Sequence, residues 1–173
     1  MKRIVLTETN RLNKSEYTHV VQVHQVSLYR FALNFLGSSE DARDIVQDVF
    51  VKLWLNVDRI DQDKVKSWLF TCTHNAMLNF IKKRSRIDYR CASSLPENGS
   101  SFSHAFESKQ VIDRAVSILP PIQKSIILLR DLEGYAYNEI GAMLQLSESQ
   151  VKVYLFRARM KIKKQLKGMV ELV

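Results

Sequence analysis

Three observations predict an all-α protein made of two small helical domains joined by a flexible linker. Glycine and proline are scarce, 5 and 3 in 173 residues. Between them, apolar residues recur at spacings of three and four, the period of a helix buried on one face. One stretch breaks that period, Ser93-Ser94-Leu95-Pro96-Glu97-Asn98-Gly99-Ser100-Ser101, with little to bury and the composition of a linker. The expected division is residues 1–86, a linker over 87–107, and residues 108–173.

Composition narrows the class. At 46% hydrophobic the chain can bury a core, and the formal net charge is +8. Lys and Arg outnumber Asp and Glu by 14 to 9 up to Arg86, trail by 1 to 3 from Ile87 to Glu107, and lead by 11 to 6 from Ser108 on. Two basic lobes flank a weakly acidic joint, which favours nucleic acid as a partner. No apolar run reaches a membrane span. The start, Met1-Lys2-Arg3-Ile4-Val5-Leu6-Thr7-Glu8, turns polar too soon for a signal peptide. Cys72 and Cys91 make neither a metal spacing nor a disulfide framework, so a reduced intracellular compartment is expected. Cys91 is expected to be exposed and unpaired.

In the first lobe the spacing of Tyr17, Val20, Val21, His24, Leu28, Phe31, Ala32 and Phe35 predicts a helix over 15–36, closed by Gly37. His24 reads as a hydrogen-bonded interior or boundary residue rather than a metal ligand, since no second ligand lies near it in sequence. Ser38 or Ser39 caps a second helix to about Val57, which buries Ala42, Ile45, Val46, Val49, Phe50, Leu53 and Val57. Its other face carries Asp41, Asp44, Gln47 and Asp48, then Lys52. Spacing alone leaves that acidic stripe open between a solvated face matched to the helix dipole and a docking face for a basic partner. A polar connection over 58–63 leads into a third helix over 65–86, with Trp68, Leu69, Ala76, Met77, Phe80 and Ile81 toward the core. Asn75 and Asn79 share a face that Lys82, Lys83 and Arg86 continue. These amides are either ordinary surface groups or donors and acceptors for exposed bases.

In the second lobe Val111, Ile112, Ala115, Val116 and Leu119 predict a helix that Pro120-Pro121 ends before starting the next. That next helix carries Ile126, Ile127, Leu128, Leu129 and Leu132 and stops at Gly134. A short helical pattern over 137–144 follows, then Gln145-Leu146, then a capping box in which Ser147 and Gln150 exchange hydrogen bonds. Val151, Leu155, Ala158 and Ile162 make the apolar stripe of the last helix. Ser149, Lys152, Val153, Phe156 and Arg157 lie opposite. An aromatic flanked by cations, away from the stripe, suits a helix-turn-helix whose second helix enters a DNA major groove. A hairpin that only packs a core is the other reading. No paired catalytic carboxylates, nucleophile–base signature or phosphate-binding glycine loop is present, so a binding protein rather than an enzyme is expected.

These strings, in this order, resemble the bacterial extracytoplasmic-function (ECF) sigma factors, which keep only regions two and four of the sigma-70 family, and the resemblance spans about residues 17–166. The stretch from Asp41 to Trp54 is similar to the region-two helix that docks on the clamp helices of the RNA polymerase β′ subunit. The resemblance therefore implies that Asp41, Asp44, Gln47 and Asp48 contact polymerase. Ser67-Trp68-Leu69-Phe70 with Asn75 and Asn79 resembles the helix that reads the −10 promoter element. By the same resemblance the connection from Ile60 to Val65, with Asp63 and Lys64, cradles a flipped base, and Lys82 and Lys83 meet DNA. Leu119-Pro120-Pro121 opens a region-four segment. The strings Tyr137-Asn138-Glu139-Ile140-Gly141 and Ser147 to Arg159 are similar to the −35 reader, with Ser149, Gln150, Lys152, Val153, Phe156 and Arg157 at DNA.

The sequence departs from the family pattern at Gln150 and Val153, on either side of the Val-Lys pair, and at Thr73-His74. These bear on which promoter is read. The implied partners are core RNA polymerase (β′ clamp helices and β flap), promoter DNA and an anti-sigma factor, with no small-molecule substrate and no cofactor. The implied localisation is cytoplasmic, at the nucleoid when active, or at the inner membrane when an anti-sigma factor holds it there. Two rivals remain. One is a dimeric helix-turn-helix regulator acting without polymerase. The other is an adaptor that binds polymerase and never reads DNA.

Overall fold

The structure, a computed structural model, describes Leu12, residues 14–90 and residues 104–170, and for 87–90, 104–110 and 168–170 it describes the backbone alone. Among these residues there are seven α-helices and no strand. They are α1 (Lys14–Leu36), α2 (Ser39–Asn56), α3 (Val65–Arg90), α4 (His104–Ser117), α5 (Pro121–Ile127), α6 (Tyr137–Leu144) and α7 (Glu148–Val170). By compactness the chain divides into two units, one ending at Ala76 and one starting at Met77, so the division falls within α3.

In the first unit α1 and α2 pack against each other. The hinge between them follows from Gly37, whose φ of 75° closes α1 while its N–H donates to Leu33 O at 2.8 Å. Ser38 then caps α2, its hydroxyl accepting from the Asp41 N–H at 3.3 Å. The expected buried face of α2 is buried at every position named. Phe31 and Phe70 meet at 5.7 Å between ring centroids, which fastens α3 to α1. Tyr17 stands edge-on to Trp54 at 5.1 Å and donates its hydroxyl to Phe50 O. The polar connection forms two 3₁₀ turns, Val57–Arg59 and Gln62–Lys64. Between them the Leu12 N–H donates to Ile60 O at 2.9 Å, and Leu12 is fully buried, an anchor that periodicity did not single out.

Beside Asn75 the interior holds Thr73 and His74, the pair noted as a departure. Thr73 returns its hydroxyl to Leu69 O, and His74 stands edge-on to Phe35 at 6.3 Å. Burial pushes the His74 imidazole pKa down to about 4. His24 is half-buried; burial, then Lys66 and His19, lowers its pKa. Among the described residues no cluster of His, Cys, Asp or Glu could hold a metal ion, and no helix is long and apolar enough to cross a membrane.

In the second unit α7 packs on α4, α5 and α6. Pro120 stands at the cap of α5 and Pro121 at its first turn. The helix then widens into a π turn over Leu128–Leu132, with the Glu133 N–H reaching Leu128 O, and Gly134 ends it at φ 78°.

Several expectations are corrected. Helix α3 continues past Arg86 to Arg90 and α4 starts at His104, so both ends of the expected 87–107 linker are helical. The sequence explains this, because neither Gly nor Pro occurs between Arg86 and Pro96. Leu132 is exposed, since the π turn carries it off the face that Leu129 buries; Ile81 and Ile112 are exposed as well. The Ser93–Ser101 stretch, Cys91 and the first eleven residues lie outside the described residues.

Candidate nucleic-acid interface

The C-terminal surface is built on the turn between α6 and α7. Helix α6 begins with the Ala136 N–H donating to Glu139 Oε2 at 2.9 Å. It ends at Gln145, which takes the left-handed conformation at φ 57°, while the Leu146 N–H donates to Gly141 O at 2.9 Å. The predicted capping box is formed. The Ser147 N–H donates to Gln150 Oε1 at 2.8 Å and the Gln150 N–H to Ser147 Oγ at 3.3 Å.

Capping sets the rotation of α7. Val151, Leu155 and Ala158 are buried, and Ile162 is half-buried. Ser149, Gln150, Lys152, Val153, Phe156 and Arg157 are all exposed, as the pattern required. Phe156 is 67% exposed, an unusual position for an aromatic with no internal role. Met160 extends the same face and is also exposed, a position the sequence reading passed over. Lys152 pairs with Glu148 at 2.7 Å, and that hydrogen bond raises its pKa. It also stands 5.6 Å from the Tyr137 ring centre, with Arg130 at 4.7 Å. Arg130 donates to Tyr135 O at 2.8 Å, which ties the loop before α6 to α5 and its π turn. Arg159, the last member of the string, is engaged elsewhere, in a two-pronged pair with Asp131 whose closer contact is 2.6 Å.

The N-terminal surfaces are two. On α2, Asp44, Gln47 and Asp48 are exposed and Asp41 is half-buried beside the Ser38 cap. The helical repeat continues this face into Val51, 56% exposed, and Leu55, 73% exposed. The sequence reading missed these two. An apolar residue beyond the buried stripe was the available signal. An acidic half-face running into an apolar one is a surface suited to a protein partner, since both charge complementarity and apolar burial can contribute.

Ahead of α3, Asp61 organises the connection. Its carboxylate accepts from the Asp63 N–H at 3.2 Å and lies 3.8 Å from Lys64 Nζ. Gln62 reaches Glu16 on α1 at 3.4 Å. Asp63 and Lys64 are exposed, and the Ser67 hydroxyl donates to Lys64 O at the start of the helix. Asn75, Asn79, Lys82 and Lys83 are exposed along α3, and helical spacing sets them on one side. Trp68 is half-buried rather than in the core.

Residues 20–87 match the family model described as Sigma-70 region 2, and residues 109–162 match that of Sigma-70, region 4. The chain is 30% identical over 148 residues to the ECF RNA polymerase sigma factor SigM of Bacillus subtilis (strain 168), covering 83% of this chain and 91% of that protein. It is 27% identical over 136 residues to the ECF RNA polymerase sigma-E factor of Escherichia coli (strain K12), covering 70% and 71%. Among solved structures it resembles CnrH in complex with the cytosolic domain of CnrY, with a TM-score of 0.67 at 27% identity over 90% of each chain. It shares its fold with the sigma factor RpoE bound to the anti-sigma factor NepR from Bartonella quintana, with a TM-score of 0.72 at 23% identity, covering 88% of this chain and 98% of that one.

Proposed function

The chain belongs to the ECF RNA polymerase sigma factors, and on that premise we propose how its surfaces work. It is an alternative sigma factor, not an enzyme. It binds core RNA polymerase and directs it to promoters under the control of an anti-sigma factor. The observation that carries the reading of DNA is the exposed face of α7, where Lys152, Phe156 and Arg157 project from a helix whose opposite side is locked into the core.

In the proposed division, region two runs through α3 to Arg90, region four starts with α4 at His104, and the residues between them connect the two. Region four takes duplex −35 DNA in the major groove. Lys152 and Arg157 supply charge to phosphates and base edges, Ser149 and Gln150 supply hydrogen bonds, and Val153 and Phe156 pack on sugar or thymine methyl groups. Region two takes the −10 element as it melts. The connection holding Asp63 and Lys64 receives an extruded base, Asn75 and Asn79 meet Watson–Crick edges of single-stranded bases, and Lys82 and Lys83 neutralise phosphates. Asp41, Asp44, Gln47 and Asp48 face the β′ clamp helices, with the β flap engaging region four. Neither DNA contact need be tight, because joining the lobes on one polymerase makes the second engagement intramolecular. Such a protein works in the cytoplasm, at the nucleoid when active and with its anti-sigma factor when silent.

Lys152→Ala and Arg157→Ala test this reading. Each is expected to lower promoter-dependent transcription at least tenfold and to reduce the salt slope of promoter binding by about one, the signature of one lost phosphate contact. Core polymerase binding stays at the wild-type level. Unchanged transcription in both variants would remove α7 as the DNA-reading face.

A further inference from the structure

The capping box constrains what Gln150 can say to DNA. A backbone N–H donates only to an acceptor, so the amide oxygen of Gln150, not its nitrogen, must face the Ser147 N–H at 2.8 Å. The Ser147 hydroxyl lies 3.0 Å from both Gln150 Oε1 and Ser149 Oγ; with Ser149 donating to it, its single proton goes to the same Gln150 oxygen. Both lone pairs of Gln150 Oε1 are therefore directed back into the cap. No described neighbour takes a proton from Gln150 Nε2, and the residue is exposed. Helical spacing places it two turns before Arg157, on the same edge of the α7 face.

An unconstrained glutamine reads adenine with two bonds, accepting from N6 and donating to N7. That pairing needs an oxygen and a nitrogen presented together. With its oxygen turned back, Gln150 presents two N–H donors and nothing else. Guanine offers two major-groove acceptors, N7 and O6; adenine and thymine offer one each. Cytosine offers only a donor, its N4 amine.

We propose that Gln150 is a donor-only specificity residue, which selects guanine and rejects cytosine at one position of the −35 element because Ser147 holds its amide oxygen. The proposal rests on the assignment of α7 as the −35 reader.

The test is transcription by core polymerase and the full chain from a promoter library randomised across the −35 element, with productive templates sequenced. The wild type is expected to favour guanine over cytosine at one position by roughly tenfold or more, the value of a good base contact. Gln150→Glu keeps an acceptor for the Ser147 N–H and replaces the donor with a second acceptor, so that position alone should move to cytosine. Gln150→Leu, which has no donor, should lose discrimination there. Adenine as the wild-type preference at the position these variants alter overturns the proposal. So does a base profile that neither variant changes. A wild-type protein that starts no promoter-specific transcript removes the −35 reading itself, and the proposal with it.

Discussion

A methyl group on Gly141 would stand 2.6 Å from the carbonyl oxygen of Leu146, closer than any unstrained contact. The same two residues are joined by the Leu146 N–H to Gly141 O bond at 2.9 Å. The turn between α6 and α7 therefore closes over the hydrogen of a glycine, and the placement of α7 depends on that closeness. Gly141→Ala is expected to destabilise the C-terminal unit by about 1–3 kcal/mol, the usual range for overpacking a tight site. Denaturant unfolding followed by circular dichroism measures it, and a variant as stable as the wild type would contradict this account of the turn.

The neighbouring Gln145 stands in the left-handed region without being a glycine. Gln145→Gly removes a backbone cost of about 1 kcal/mol. It should raise the unfolding midpoint of the same unit, and a lowered midpoint would show that the Gln145 side chain contributes more than its backbone costs.

Arg157 and Arg159 are two residues apart and are expected to behave differently. Arg157 is exposed on the reading face, whereas Arg159 is held by Asp131 at 2.6 Å. Both members of that pair are well exposed, so its worth is at most about 1 kcal/mol. Arg159→Ala should leave promoter-dependent transcription within about threefold of wild type, the effect of a modest stability loss, while Arg157→Ala lowers it far more. Equal losses in the two variants would mean that Arg159 leaves Asp131 to meet DNA.

On α2, the exposed Val51 and Leu55 extend the acidic face of Asp44 and Asp48. Asp44→Arg with Asp48→Arg should weaken core polymerase binding roughly tenfold or more, as expected for reversing charges at a complementary interface. Leu55→Ala should do so by a comparable factor if it is a central apolar contact. Affinity for isolated duplex DNA should not fall in either. Titration of labelled core enzyme reads these effects, and undiminished affinity in both would move the polymerase site off α2.

His74 makes stability depend on pH. Its folded pKa of about 4 lies below the ordinary 6.5. The unfolded chain therefore binds the proton more readily between those values, and stability is complete above about pH 6.5 and falls as the pH drops toward 4. The loss attributable to this one group is up to about 3 kcal/mol. His74→Gln should flatten the pH dependence of denaturant unfolding in that window. A variant with the wild-type slope would assign it to other groups.

Most of the architecture was legible because each device acts over a few residues. Gly37, Ser38, Pro120-Pro121, Gly134 and the Ser147–Gln150 box each end or start a helix by local chemistry, and all do so in the structure. The face of α7 followed from the cap and a stripe of Val151, Leu155 and Ala158. What escaped depends on distant partners or on an altered helical pitch. The π turn that exposes Leu132 has no signature in hydrophobic spacing. Leu12 is buried through a bond to Ile60, 48 positions away, and Arg159 is withdrawn by Asp131 on another element. Val51 and Leu55 are apolar yet exposed, and residue type alone does not separate such positions from the core. The proposed assignment of residues to polymerase and to the −10 strand came from the resemblance, since spacing alone left the acidic stripe and the paired asparagines open.

The most direct test of the central claim is run-off transcription with purified core RNA polymerase on pooled genomic fragments from the host, with and without this protein. The account predicts new transcripts with defined start sites, whose upstream sequences share a −35 and a −10 element. Core enzyme that binds the protein yet starts no new transcript would contradict it.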